Sequence, residues 1–249
     1  MFLPTLAFIY GLVIGSFLNV CIYRLPVGLS LAQPPSHCPH CGRWLPAAEL
    51  VPLFSFLWQR GRCRGCGVSI SWRYALVEVA TGILFAVLMW RFGWPAMLWQ
   101  AAFYAVLLVI FFIDLDHQII PNRLVLILVG LAVLALFFAR EVSFLSALYG
   151  GVLGGGLFFL LAVVSNGGMG GGDIKLVAAL GLWFGWAQLL LLIFVAFLGG
   201  GLVGGALLLT GLKKRKDGIP FGPFLVSAAF IVSMWGEQLI AWYLRVSGL

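Results

Sequence analysis

Runs of apolar residues long enough to cross a lipid bilayer follow one another along almost the whole chain. Hydrophobic residues make up 63% of its 249 residues and charged residues only 9%, whereas soluble domains carry about 25% charged residues. A helical span needs about 20 apolar residues. The sequence does not alternate apolar and polar residues over strand lengths, as a membrane β-barrel would. It therefore predicts an all-α polytopic membrane protein.

Charged residues and turns divide the apolar sequence into about eight predicted transmembrane helices. The first occupies residues 1–25 and lacks the basic start of a cleaved signal peptide, so we expect it to stay in place. The run 174–211 is just long enough for two helices at about 1.5 Å per residue, with a tight turn expected near residues 185–188. The other spans are predicted at 75–90, 97–113, 124–138, 144–164 and 221–244.

Glycines recur at intervals of four residues in two of the predicted helical runs. Small residues at this spacing let helix backbones approach closely, so we expect close packing at both places. The pairs are Gly150/Gly154 and Gly151/Gly155 in the first run, and Gly200/Gly204 and Gly201/Gly205 in the second.

A polar insert separates the first predicted helix from the others. It covers residues 26–74 and contains five arginines and four of the five cysteines. The sequence thus predicts three parts: a first transmembrane helix at 1–25, the insert at 26–74, and a multi-span membrane domain at 75–249.

The basic residues concentrate on one side of the predicted membrane topology. With eight spans and the N-terminus outside, twelve of the fifteen lysines and arginines fall on that side. Because lysine and arginine accumulate in cytoplasmic loops, this side is predicted to face the cytoplasm. The net charge of +7 then reflects topology, and we expect no nucleic-acid partner. The insert and the acidic residues described below are predicted to lie on the same side.

Two Cys-x-x-Cys pairs lie in the insert: Cys38/Cys41 and Cys63/Cys66. Four thiolates at this spacing can close a tetrahedral structural zinc site, which leaves no open position for catalysis. Two disulfides or a redox dithiol are the alternatives, but cytoplasmic thiols stay reduced and no thioredoxin-like βαβ pattern surrounds the pairs. A metal would also supply folding energy to this small insert. His37 and His40 are alternative ligands, and Cys21 is expected to be a buried apolar residue.

Aspartates lie at the cytoplasmic ends of two predicted helices. Asp114 and Asp116 follow the span 97–113, and Asp173 follows a glycine-rich stretch that begins at residue 165. Two carboxylates brought together cannot both ionise easily, so one keeps a proton and the pair can act as acid and base towards water, as in aspartic proteases. Helix capping is the alternative, and the residue types alone leave both roles open.

The glycine-rich stretch beside Asp173 is costly to order, because glycine loses the most conformational entropy. Ionisable residues near spans are costly as well, so this combination favours a functional role. Lys175 is either a counter-ion of Asp173 or an ordinary boundary lysine. His117, three residues after Asp114, either tunes the acidic site or is an exposed loop residue.

Six segments along the chain together form a recognisable combination of motifs. They are 15–26, 38–42 with 61–66, 70–78, 113–121, 168–176 and 219–224. A GxGD motif alone, here Gly170-Gly-Gly-Asp173, is weak, but it gains weight from the upstream Asp-x-Asp and the cysteine pairs in this order. The combination, over nearly the whole chain, resembles the type IV prepilin peptidases, membrane aspartic proteases of the GxGD type.

The resemblance implies that Asp114 and Asp173 are the catalytic aspartates and that Asp116 supports them. It implies cleavage after a glycine of the basic leader of type IV prepilins or type II secretion pseudopilins. The enzyme would act in the bacterial inner (cytoplasmic) membrane, with the active site facing the cytoplasm. Asn122 stands where the family often has Asp, at a position that is not catalytic in the resemblance.

A second activity follows from the resemblance, because the cysteine insert marks the bifunctional branch of this family. The new N-terminal residue, usually Phe, would be methylated with S-adenosylmethionine. No Rossmann-like glycine motif locates a site for this methyl donor, so its residues stay unassigned at this stage.

Two other classes of function compete with a protease. A transporter would use intramembrane acids and glycine-broken helices, but the two halves show no repeated hydropathy pattern and the acids cluster at one face. A non-catalytic membrane scaffold that carries zinc would use the glycines and acids structurally. Only a protease would shorten a prepilin.

Overall fold

The regular structure of the chain is helical throughout the residues that its computed structural model describes, which are 2–139, 142–165, 168–214 and 218–247. Apart from a 3₁₀ helix at Ala47–Glu49, the elements are α1 (Phe2–Arg24), α2 (Phe54–Trp58), α3 (Trp72–Phe92), α4 (Ala96–His117), α5 (Asn122–Phe138), α6 (Phe144–Val164), α7 (Gly171–Leu209) and α8 (Gly222–Ser247). Some residues of the predicted loops lie outside the described ranges: Arg140, Asn166, Gly167, Arg215 and Lys216.

The helices confirm the predicted all-α membrane class. Within the described ranges, six helices are long and apolar enough to cross a membrane, namely α1, α3, α4, α6, α7 and α8, and α5 is a shorter apolar helix. The predicted count of eight spans is therefore approximate. The count depends on whether α5 crosses the membrane and on how many times α7 crosses it.

The 39-residue helix α7 is interrupted at Gly185, whose φ of 73° and ψ of 171° are not helical. A Cβ at Gly154 of α6 would lie 2.9 Å from both the Val177 carbonyl oxygen and the Leu189 Cδ2. In a straight helix, residues twelve apart are separated by about 18 Å, so the chain must fold back at Gly185. This is the turn that the sequence predicts near residues 185–188. The part of α7 before Gly185 is shorter than the about 20 residues of a full span.

The chain forms two compact units, Met1–Val109 and Ile110–Leu249. In the first unit, α1 and α3 pack closely against each other. A Cβ at Gly15 would lie 2.7 Å from the Glu78 Cα, so the contact requires glycine. Asn19 Nδ2 also donates a hydrogen bond to the Tyr74 carbonyl across the two helices, at 3.0 Å.

In the second unit, the backbones of α6 and α7 are in direct contact at the first set of spaced glycines. A Cβ at Gly150 would collide with the Gly181 carbonyl oxygen, and one at Gly154 would lie 2.9 Å from the Val177 carbonyl oxygen. The sequence-based expectation of close packing is therefore confirmed for this set.

The second set of glycines, in α7, does not make such contacts. Gly200 and Gly204 face the side chains of Phe221 and Ile219, each at 3.4 Å, and a Cβ at Gly201 or Gly205 would meet nothing within 4 Å among the described residues. At this set the packing is therefore against side chains, and only at Gly200 and Gly204.

Candidate active site and metal centre

Asp114 lies in the last turn of α4, because this helix continues to His117 and does not end at residue 113 as predicted. Its side chain is buried, with 5% exposed, and Oδ2 accepts a hydrogen bond of 2.9 Å from the Gly222 N–H. Gly222 is the first residue of α8. The carboxylate thus occupies a helix N-terminus, where free N–H groups and the helix dipole favour negative charge.

The sequence alone assigns no role to Gly222. A Cβ at this position would lie 2.6 Å from Asp114 Oδ2, so the hydrogen bond requires glycine. The sequence does carry a signal for this helix start, since a proline in the first turn, here Pro223, is typical of a helix N-terminus. It does not reveal that a distant carboxylate occupies that terminus.

Asp173 lies in the first turn of α7 and is half-buried. Its carboxylate accepts a hydrogen bond from the N–H of Gly170, which is the N-cap of the helix. A carboxylate three residues after the N-cap that binds the N-cap N–H forms half of a capping box. The capping role left open by the sequence is therefore present at Asp173.

Capping does not explain why a second carboxylate lies nearby. Asp114 and Asp173 are close enough for their charges to interact. The segments that carry them are also in contact, because a Cβ at Gly172 would lie 3.0 Å from the Ile120 Cβ. The structure thus brings together the two aspartates that the sequence singled out, although 59 residues separate them in the printed sequence.

Two polar contacts bind the loop after α4 to neighbouring segments. Lys175, one candidate counter-ion of Asp173, donates instead to the Asn122 side-chain oxygen at 3.0 Å. Gln118 Nε2 donates to the Gly218 carbonyl at 3.3 Å, just before α8. These contacts hold the ends of α4, α7 and α8 near one another.

Asp116 and His117 are exposed at the end of α4. They differ from Asp114, which is buried at the start of α8. The structure therefore separates the two aspartates of the Asp-x-Asp motif by environment, and only the first lies in the buried part of the site.

The four cysteines of the insert lie on two turns of the same geometry. In each turn the N–H of the first cysteine donates a hydrogen bond of 2.9 Å to the carbonyl five residues later. The carbonyl of the same cysteine accepts a hydrogen bond from the N–H of a glycine, at 2.9 or 2.8 Å. These glycines, Gly42 and Gly67, have φ values of 69° and 72°, in the region that favours glycine. A Cβ at either would meet no described atom within 4 Å, so backbone conformation alone requires glycine there.

The four sulfur atoms all lie within 4.8 Å of one another. Cys38 Sγ and Cys66 Sγ are 3.9 Å apart, close to the roughly 3.8 Å between two sulfurs on a tetrahedral Zn²⁺ with Zn–S bonds of about 2.3 Å. A disulfide needs about 2.05 Å, and all four thiols are free. The donor set and its spacing therefore fit a zinc ion.

The surroundings of Cys63 favour its thiolate form. The N–H groups of Cys66 and Gly65 donate to the Cys63 sulfur and lower the pKa of this thiol to about 6. Arg43 lies close enough to Cys41 and Cys63 for their charges to interact with its guanidinium. A hydrogen bond to Glu49 raises the pKa of Arg43. A cation beside a site with four thiolates offsets part of its negative charge.

These features define an integral membrane protein with a helix-end pair of aspartates and a separate four-thiol cluster. Residues 9–92 match the Bacterial Peptidase A24 N-terminal domain, and residues 101–205 match the Type IV leader peptidase family. No solved structure shows significant similarity to the chain.

Curated relatives match the chain over nearly its whole length. The prepilin leader peptidase/N-methyltransferase of Bacillus subtilis (strain 168) is 36% identical over 98% of both chains. The proteins of the same name from Stutzerimonas stutzeri and Pseudomonas aeruginosa are 37% and 38% identical, over 98% and 96% of this chain and 94% and 92% of their own. The chain therefore belongs to the type IV leader peptidase family, as its motifs predict.

Proposed function

We propose that this protein removes the leader peptide from type IV prepilins or pseudopilins and then methylates the new N-terminal residue. One observation carries the proposal: Asp114 and Asp173 lie within range of each other's charge at the ends of two helices, in a chain whose relatives over nearly its whole length bear the names of these two activities. A transporter or a scaffold would account for acidic residues or for glycines separately. Neither accounts for the two aspartates together with this family.

The proposed hydrolysis uses the aspartates as one acid and one base. The ionised carboxylate takes a proton from water as the water oxygen bonds to the carbonyl carbon of the leader's last glycine. The protonated carboxyl gives its proton as the C–N bond breaks, and the new amine leaves with it. Asp114 is suited to a fixed position, because it is buried and bound to the Gly222 N–H. The glycines beside Asp173 would let an extended substrate approach and let this residue adjust.

We assign the four cysteines, Cys38, Cys41, Cys63 and Cys66, to a structural zinc ion. Four thiolates fill a tetrahedral shell and leave no position for a substrate. The zinc would therefore supply folding energy to the insert at 26–74. It takes no part in the proposed hydrolysis, which belongs to the membrane domain at 75–249.

We further propose that the protein lies in the bacterial inner membrane with both sites facing the cytoplasm. The support is the charge distribution, since most of the basic residues fall on the side that carries the insert and the aspartates in the predicted topology. S-adenosylmethionine would be the methyl donor, supplying an electrophilic methyl group to the new N-terminal amine.

Incubation of the purified protein with a prepilin, followed by mass spectrometry, tests the proposal. The wild-type chain should release the leader, and with S-adenosylmethionine present the product should gain one methyl group. Asp114→Asn and Asp173→Asn should each reduce cleavage by about 10²–10⁴-fold or more, the typical contribution of a positioned acid or base.

Asp116→Asn serves as the matched comparison, because it makes the same chemical change at an exposed position of the same helix end. It should lose far less activity than the other two variants. Full cleavage by Asp114→Asn or by Asp173→Asn would exclude the aspartate pair. A wild-type chain that never shortens the prepilin would return the transporter and the scaffold to consideration.

A further inference from the structure

The first unit contains a cavity of about 620 Å³ bounded by α1, α3 and the insert. This volume is within the range of about 300–1,000 Å³ that is typical of pockets for small organic ligands. All of its lining residues lie between Ser16 and Glu78, inside the segment that matches the A24 N-terminal domain. Neither Asp114 nor Asp173 belongs to it, so the proposed hydrolysis leaves this cavity without a role.

A buried carboxylate of α3 lines the cavity. Glu78 is only 8% exposed, although it lies in an apolar helix. Its carboxylate accepts hydrogen bonds from the Leu53 N–H, at 2.7 Å, and from the Ser16 hydroxyl. Neither of these donors carries a charge, and a carboxylate withdrawn from water is favoured by a cationic partner. The cavity therefore suits a ligand that brings positive charge or hydroxyl donors to Glu78.

A second acidic residue lies in the same wall. Glu49 also lines the cavity and forms an ion pair with Arg43. Its other carboxylate oxygen, Oε2, is buried and accepts no hydrogen bond from the described residues. Because Oε2 has almost no accessible surface, a ligand in the cavity would meet other atoms of Glu49.

The rest of the wall combines aromatic rings with polar residues, and it includes Cys38 and Cys63 of the four-cysteine cluster. Phe56, Tyr23 and Tyr74 line the cavity, and aromatic rings are good surfaces for stacking a nucleobase. Arg24, buried at the end of α1, donates to the carbonyls of Ser30 and Pro34 at 2.9 and 2.7 Å. This guanidinium holds the start of the insert against α1, which gives the cavity a preformed edge.

We propose that this cavity binds S-adenosylmethionine, and the proposal rests on the methyl-transfer part of the proposed function. The ligand carries a sulfonium and an ammonium cation, one carboxylate and hence a net positive charge, a ribose with two hydroxyl groups, and an adenine ring. Its cations and hydroxyl groups match the Glu78 carboxylate as the central polar contact, and its adenine ring matches the aromatic rings of the cavity. In the transfer, the neutral amine of the substrate bonds to the methyl carbon while the carbon–sulfur bond breaks. The positive charge passes to the nitrogen, which releases a proton to solvent, and the sulfur becomes a neutral thioether.

Equilibrium binding of S-adenosylmethionine to the purified full-length protein tests this assignment without relying on turnover. Glu78→Gln keeps the size of the side chain and removes its charge. It should weaken binding by about ten- to a hundredfold, as expected when a hydrogen bond to a charged group is lost. Glu237→Gln makes the same change at an exposed position of α8 and should bind like the wild type. Equal zinc content in the three proteins would show that the insert is folded.

Photo-crosslinking of radiolabelled S-adenosylmethionine to the wild-type chain gives an answer even if Glu78→Gln fails to fold. The label should map to peptides between residues 16 and 78. Labelling confined to residues 110–249, or unchanged affinity in a folded Glu78→Gln variant, would overturn the proposal. A Glu78→Gln variant with a higher KM for the prepilin but unchanged affinity for S-adenosylmethionine would also overturn it, because the cavity would then bind the basic leader. If the wild-type chain cleaves a prepilin but binds no S-adenosylmethionine, methyl transfer fails as well, while the protease stands.

Discussion

The four-cysteine cluster and the aspartate site are assembled in opposite ways. The cluster is local: its sulfurs come from two copies of one turn, and Cys38 and Cys66 are only 28 residues apart. The aspartate site is non-local: Asp114 meets a helix start 108 residues further along the chain. Local spacing is therefore enough to predict the first site, whereas the second exists only when α4, α7 and α8 have packed.

This difference predicts different responses to mutation. The cluster should fail when a ligand is lost, because a metal would hold the small insert together. The aspartate site should fail when the helix ends move, even if both carboxylates remain.

The largest effect is expected from Cys38→Ser. Structural zinc contributes on the order of 10–16 kcal/mol in small zinc domains, so loss of one ligand should lower the bound zinc and unfold much of the insert. Metal analysis of the purified protein measures the first effect and limited proteolysis of the insert the second. Cys21→Ser is the control, because Cys21 is buried in α1 outside the cluster. Unchanged zinc stoichiometry in Cys38→Ser would rule out the four-cysteine site.

Gly222→Ala should have the next largest effect, which is a lower rate of leader cleavage. The added Cβ would lie 2.6 Å from Asp114 Oδ2, so the carboxylate or the start of α8 must move. A displacement of about 1 Å at a catalytic group can reduce the rate about 10²-fold. Leader cleavage measures this loss, and Gly201→Ala, where nothing described lies within 4 Å, should retain the wild-type rate. Equal rates in the two variants would mean that the contact between Asp114 and α8 is not needed.

A smaller effect, on stability, is expected from Gly150→Ala in α6. The methyl group would collide with the backbone of Gly181, and overpacking of this kind typically costs about 1–3 kcal/mol. Thermal unfolding in detergent should therefore begin at a lower temperature than in Gly156→Ala, whose Cβ would meet nothing within 4 Å among the described residues. If both variants unfold alike, α6 and α7 are not in backbone contact.

Particular residues show how far the sequence can predict this protein. Apolar length predicts the helices, and Gly185 interrupts α7 where a turn was expected. The Cys-x-x-Cys spacing predicts the cluster because each turn fixes its own geometry. Motif order and the positive-inside rule indicate that Asp114 and Asp173 belong together.

Other features depend on packing that no local pattern encodes. Apolar length did not show that α4 continues through Asp114 to His117. The role of Gly222 depends on a carboxylate from another helix, and the spaced glycines of α7 resemble those of α6 but lack a partner backbone. Glu78 lies in the segment 70–78, one of the six motif segments, yet only the structure shows that it lines a cavity together with Glu49.

The central claim is that Asp114 and Asp173 act as one catalytic unit, and a double-variant comparison tests it most directly. Residual leader cleavage should be measured at high enzyme concentration for Asp114→Asn, Asp173→Asn and the protein that carries both changes. Residues that act as a unit are strongly non-additive, so the double variant should cleave about as fast as the slower single variant. A double variant whose loss equals the product of the two single losses would show that the aspartates act independently, and would contradict this account.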